Sequence, residues 1–134
     1  MKVKLDSLDA LFSEFIRKRA ILNVGGCERC LTPKYDIQRD DGTIFPAWKE
    51  LQCAHFHGRT KASVRFDESN AIGICGACHI YFHSHPLEHV EWFKQKLGEQ
   101  AFDLLNARAR TLARYLDKEL IRLYLQEKIK EVMV

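Results

Sequence analysis

Cys53-Ala54-His55-Phe56-His57, Asn70-Ala71-Ile72-Gly73-Ile74 and Cys75-Gly76-Ala77-Cys78-His79-Ile80-Tyr81-Phe82-His83 carry most of the side chains in this sequence that can bind a metal or move a proton. Five of the six histidines fall between His55 and His85, and three of the five cysteines between Cys53 and Cys78. Read in order, the stretch gives a histidine, an asparagine, and a histidine preceded directly by a Cys-x-x-Cys. His79 and His83 are four apart and share a face if the segment is helical. His55 and His57 alternate, so at the period of a strand they also share a face.

A second Cys-x-x-Cys, Cys27/Cys30, is separated from Cys75 by 44 intervening residues. Two such pairs can close a tetrahedral four-thiolate zinc site. Zinc there would tie together the ends of the 31–74 insert, which is too small to hold itself with a core of its own. Cys53 is left over and reads as a small buried residue. Trp48 and Leu51 are expected to cover the core around the metal.

The 134 residues suit one domain, and 46% hydrophobic with 29% charged residues is ordinary for a soluble chain. No apolar run approaches the roughly 20 residues of a membrane helix. The opening Met-Lys-Val-Lys-Leu-Asp turns acidic without a signal-like apolar core. The expectation is a cytoplasmic protein with no membrane role, whose cysteines bind metal rather than form disulfides. A net charge of +3 permits a nucleic-acid partner without requiring one.

Around the central stretch, residues 6–19 predict an amphipathic helix with Leu8, Leu11, Phe12, Phe15 and Ile16 on one face. Asp6 or Ser7 caps it, and Arg17-Lys18-Arg19 oppose the dipole at its end. Short strands are expected near 43–45 and 52–56, paired as a hairpin. A helix begins at residue 78 and is limited by Pro86. Another follows, with Val90, Phe93, Lys94 and Leu97 on one face, and stops at Gly98. His85 and His89 read as solvent-facing residues without a role. Residues 99–134 are helical, with Leu105, Leu112, Leu116, Leu120 and Leu123 in one row, wide enough for the first helix and a second copy of the chain. The organisation is thus an N-terminal helix (1–25), a central core (26–98) and a C-terminal helical segment (99–134) within one compact domain.

The run Cys53-Ala54-His55-Phe56, Asp67-x-x-Asn70-Ala71 and Cys75-x-x-Cys78-His79-x-x-x-His83 resembles the HNH nuclease motif (the ββα-metal or His-Me finger) in its phage and prophage zinc-ribbon form. Residues 51–70 are also similar to the NinG-type phage recombination nucleases. The resemblance covers about residues 27–97. It implies an α+β fold: a ββα-metal HNH core on a four-cysteine zinc site (Cys27, Cys30, Cys75, Cys78), flanked by an N-terminal helix and C-terminal helices. It implies a DNA endonuclease that hydrolyses phosphodiester bonds, nicking one strand per site. His55 would be the general base, Asn70 would fix the His55 loop through backbone hydrogen bonds, and His79 and His83 would hold a catalytic Mn²⁺ or Mg²⁺, with other divalent ions conceivable. Many relatives place a metal-binding Asp or His immediately before the base. Here that position is Ala54, and His57 and water are the alternatives for the missing ligand. Arg59, Lys61 and Arg65 would position phosphates, with Arg29 and Lys34 adding to them. The competing reading is a zinc-ribbon DNA-binding or phage recombination accessory protein with a degenerate site.

Overall fold

The computed structural model describes residues 3–113 and 115–132. Among these the chain is α+β, with five α-helices and two small antiparallel sheets. The first helix, α1, runs Ser7–Val24. Asp6 caps it by accepting from the backbone N–H of Leu8 and Asp9, while the Asp9 carboxylate accepts from Asp6 N–H. The helix continues past Arg19 because Ile21 and Leu22 extend it, and it stops only at Gly25, in the left-handed conformation that glycine adopts without strain. Arg17, Lys18 and Arg19 therefore sit inside the helix, and no basic residue occupies its last turn. The dipole role expected for them is replaced by specific contacts. Arg19 donates to the carbonyls of Glu68 and Ala71, Lys18 pairs with Glu14, and the Arg17 guanidinium lies 4.7 Å from the Trp48 ring centre.

The strands pair differently from the expected hairpin. The turn around Asp41 and Gly42 joins β1 (Ile37–Gln38) to β2 (Ile44–Phe45). Strand β3 (Gln52–His55) pairs instead with β4 (Ala71–Ile74), with Gln52 opposite Ile74 and His55 opposite Ala71. The cause is burial: all four residues of β4 are buried, so the apolar run 71–74 has to be covered on both faces. Helix α1 covers one face, and Gly73 permits it, since a Cβ there would lie 2.7 Å from the Ala20 Cβ. The opposite face packs Ala54, Ile72 and Ile74 against Phe82 and Phe93.

Helix α2 (Gly76–Ser84) follows β4 directly, and α3 (Pro86–Leu97) begins with proline at its first turn, where the missing N–H is not needed. Helix α4 spans Glu99–Arg110 and α5 spans Lys118–Glu131. The leucine row foreseen through 99–134 is interrupted by the break between them. Leu105 is buried, whereas Leu112, Leu120 and Leu123 are exposed, and the side of α5 that carries Leu125 and Ile129 packs against Phe12, Phe15 and Ile16 of the first helix, the neighbour expected for this segment. No described helix is long and apolar enough to cross a membrane.

Candidate metal centre and histidine cavity

Cys27 and Cys30 lie on the turn after α1, and Cys75 and Cys78 where β4 passes into α2. Their four sulfurs all lie within 4.8 Å of one another. A tetrahedral zinc with sulfurs at about 2.3 Å requires S···S separations of roughly 3.8 Å, and Cys30 Sγ stands 3.9 Å from Cys75 Sγ. The group could hold a metal ion, and its donors are consistent with structural zinc. Its electrostatics are divided. Thr32, through its hydroxyl and backbone N–H, holds the Cys30 thiol down to about 6. Burial pushes Cys78 up to about 12, against the Arg29 guanidinium that donates to it at 3.4 Å. Four converging sulfurs cannot all ionise unaided, and a divalent cation supplies the missing charge.

The surroundings of this group include contacts that sequence alone did not single out. Glu28 is buried between the cysteines of its turn, its backbone N–H donates to the Gly73 carbonyl, and its carboxylate accepts from Gly73 N–H and pairs with Lys96 of α3. Arg29, expected among the phosphate contacts, lies 3.9 Å over the Tyr81 ring while bonding Cys78. Leu51 packs in the cluster with Cys27 and Cys78, as foreseen. Trp48 does not; it lies against Arg17 and Lys18 of α1. Cys53 is outside the sulfur cluster, packed near Phe12 and Phe15, and burial pushes its thiol up to about 12.

A separate cavity is lined by four of the histidines. His55, His79 and His83 border one cavity of about 330 Å³, together with Ala54, Gly58 and His89. Phe56, Phe82 and Pro86 complete its wall. Strand register sets the His55 side chain apart from the helix histidines: Gln52 and Ala54 face α2, and Cys53 and His55 face α1. The His55 ring accordingly lies 5.5 Å from that of Phe12 at the end of β3, where the strand stops and the cavity begins. Its Nε2 is shielded from solvent and has no partner. Burial, then the nearby Arg59 charge, lowers its pKa to about 4, outweighing a hydrogen bond donated to the Arg65 backbone carbonyl and the Asp9 carboxylate. The imidazole is therefore neutral at physiological pH.

Asn70 is fully buried. Its Oδ1 accepts from His57 N–H at 2.8 Å, and its Nδ2 donates to the carbonyls of His57 and Val64 at 2.9 and 3.1 Å. Its own carbonyl accepts from Phe56 N–H. One side chain thus clamps the loop leaving His55 at three backbone groups, which fixes where β3 ends. Further out, Tyr124 and Lys128 of α5 bond Glu68, and Arg108 of α4 bonds Asp67, so the C-terminal helices brace the same turn.

His79 Nδ1 lies 2.6 Å from Gln52 Oε1, which assigns the proton to Nδ1 and leaves Nε2 as the free ligand atom. Burial, with the neighbouring His83 and Arg59 charges, lowers the His79 pKa and favours the neutral, metal-binding form. His79 and His83 also border a second hollow with Gln52, Gly76, Ile80 and Ser84, so the pair forms a ridge between two concavities. Among the described residues, the four cysteines are the one group of three or more candidate ligands drawn so closely together.

Several site residues lie elsewhere. His57, the candidate third ligand, has left the strand: its Nε2 is 2.8 Å from Asn106 Oδ1 of α4, and it is not part of the cavity wall. Arg65 is committed to Asp9 and to the Lys4 carbonyl. Arg59 stands 3.6 Å from the same Asp9 carboxylate, with its Nε unpartnered. Lys61 is exposed and borders a groove with Ser63 and Arg110.

His89 of the cavity and Gln52 of the adjoining hollow are residues to which the sequence assigns no role. Alternation could have found Gln52, two before Ala54 on the α2 face, and His89 shares a helix face with the buried Phe93 four residues on. Comparison with protein-family models, with curated proteins and with solved structures finds no match to this chain.

Proposed function

We propose that the chain is a divalent-metal-dependent DNA endonuclease of the HNH type, with β3, β4 and α2 as its ββα-metal core and Cys27, Cys30, Cys75 and Cys78 holding a structural zinc beneath it. The observation that carries this reading is the shared cavity: a strand-end histidine and two helix histidines four apart border one space large enough for a phosphate group. The i, i+4 spacing of His79 and His83 on α2, with His55 at the strand end on the same cavity wall, supports the reading.

His79 and His83 would hold the divalent cation, which when bound supplies charge stabilisation to the phosphate and the leaving oxygen. The remaining work falls to the chain. His55, neutral at working pH, accepts the proton of the attacking water through an imidazole nitrogen. Asn70 keeps the base in place by holding the backbone on its C-terminal side. Gln52 directs His79 Nε2 towards the ion by occupying Nδ1. Arg59 supplies the phosphate contact next to the base through its guanidinium, whose Nε is held 3.6 Å from the Asp9 carboxylate. Arg65 is already engaged with Asp9 and acts as its support. Lys61 and Arg110 extend the basic surface along the groove.

Relaxation of supercoiled plasmid by the zinc-loaded protein, with Mn²⁺ or Mg²⁺ against chelator, tests the proposal. Metal-dependent nicking that drops at least about 100-fold in His55→Ala supports it. Nicking that persists in His55→Ala removes the base from this position. DNA binding without any cleavage, in wild type as in the variant, selects the zinc-ribbon accessory role instead.

A further inference from the structure

The cavity holds one histidine that this reading leaves idle. His89, near the start of α3, borders the same space as His55, His79 and His83. Three aromatic rings fix its orientation: it stacks on Phe82 at 4.6 Å and 18°, and meets Phe56 and Phe93 edge-on at 5.3 and 5.2 Å. Its Nε2 is nevertheless shielded from solvent and has no partner. Other histidines here have spent a ring nitrogen on the protein: His57 on Asn106, His79 on Gln52, and His85 on the Tyr81 carbonyl. A phenylalanine would fill the same aromatic box without stranding a polar atom.

We propose that His89 is a further nitrogen donor to the cation held by His79 and His83, supplied from α3 because Ala54 of β3 offers no ligand. The inference rests on the cation reading of the cavity and extends it. Geometry supports it. The α2–α3 corner, through His85 and Pro86, folds α3 back so that its second turn stacks a ring on Phe82 of α2. The histidine nitrogens are not drawn together as the sulfurs are. An additional imidazole would shift preference from Mg²⁺ towards Mn²⁺, Co²⁺ or Ni²⁺.

The test is calorimetric titration of zinc-loaded protein with Mn²⁺, comparing wild type with His89→Phe, His85→Phe and His79→Ala. His89→Phe retains the aromatic packing, and its melting temperature is measured alongside. The expected result is binding weakened at least about 10-fold in His89→Phe, unchanged in His85→Phe and lost in His79→Ala. Equal affinity in His89→Phe and wild type, with His79→Ala still defective, overturns the role of His89 while leaving the cavity reading intact. No Mn²⁺ binding by wild type overturns both. On the wild-type chain, Cd²⁺ should move the imidazole ¹⁵N resonances of His79, His83 and His89 together; a His89 resonance unmoved by Cd²⁺ also overturns the proposal, independently of any variant.

Discussion

The Oε1 of Gln52 sits 2.6 Å from the Nδ1 of His79, joining the first residue of β3 to the face of α2 that borders the cavity. This contact fixes the tautomer and ring angle of a candidate metal ligand from an otherwise exposed strand residue. Replacing Gln52 by Ala should therefore weaken binding of the divalent ion about 10- to 100-fold, with little change in stability. Calorimetry for the ion and thermal melting for the fold separate the two effects.

Asn70 should be among the least replaceable residues. Asn70→Asp keeps the shape but removes both Nδ2 donations and places negative charge against the carbonyls of His57 and Val64. The expected loss is about 3 kcal/mol, from buried backbone groups left without partners. Urea denaturation measures it directly. A change below about 1 kcal/mol would mean that the loop is held by other contacts.

Zinc analysis addresses the sulfur cluster. The protein as purified should carry zinc, and Cys75→Ser or Cys78→Ser should lose it and melt at markedly lower temperature, because metal affinity contributes directly to folding. Cys53→Ser should retain the metal, since Cys53 lies outside the cluster. Zinc content by elemental analysis distinguishes these variants.

Acid should act through Asp9. Burial raises its pKa, but the hydrogen bond from Arg65, the backbone bond from Asp6 and the Arg65 and Arg59 charges outweigh this and leave it below the ordinary value. A carboxylate with a lowered folded pKa stabilises fully above its unfolded value of about 3.9, and that stabilisation is lost as pH falls through the folded value. Asp9→Asn should cost about 2 kcal/mol at neutral pH and show a shallower loss of stability below about pH 4 than wild type. Melting curves across that range provide the comparison.

Arg59 and Arg65 should separate in DNA binding. Arg59→Ala should weaken binding and reduce the salt slope by about one, the signature of a lost phosphate contact. Arg65→Ala should instead lower stability by releasing Asp9, with the salt slope unchanged. Binding titrations at several salt concentrations test both variants.

What the sequence made legible was local. The two Cys-x-x-Cys pairs and the i, i+4 spacing of His79 and His83 are short-range signals, and the structure brings each set to a common place. The cap at Asp6, the stop at Gly98 and the start at Pro86 are likewise set by neighbouring residues. The misreadings needed information from distant residues. The partner of β3 was misassigned because β2 is nearer in sequence, whereas burial of 71–74 between α1 and α2 determines the pairing. His57 was grouped with His55 by alternation, but the strand ends at His55 once Asn70 takes hold of the next backbone groups. Arg65 read as a free cation because its acceptor, Asp9, lies 56 positions away. His89 looked exposed because nothing in its own helix reveals the ring of Phe82 beneath it.

The most direct test of the account is an anomalous-scattering map from a crystal of zinc-loaded protein soaked in Mn²⁺. The account predicts zinc among the four sulfurs and a manganese peak at His79 and His83, on the side of the cavity facing His55. Manganese absent from that cavity, with the His55 imidazole turned away from it, would contradict the account.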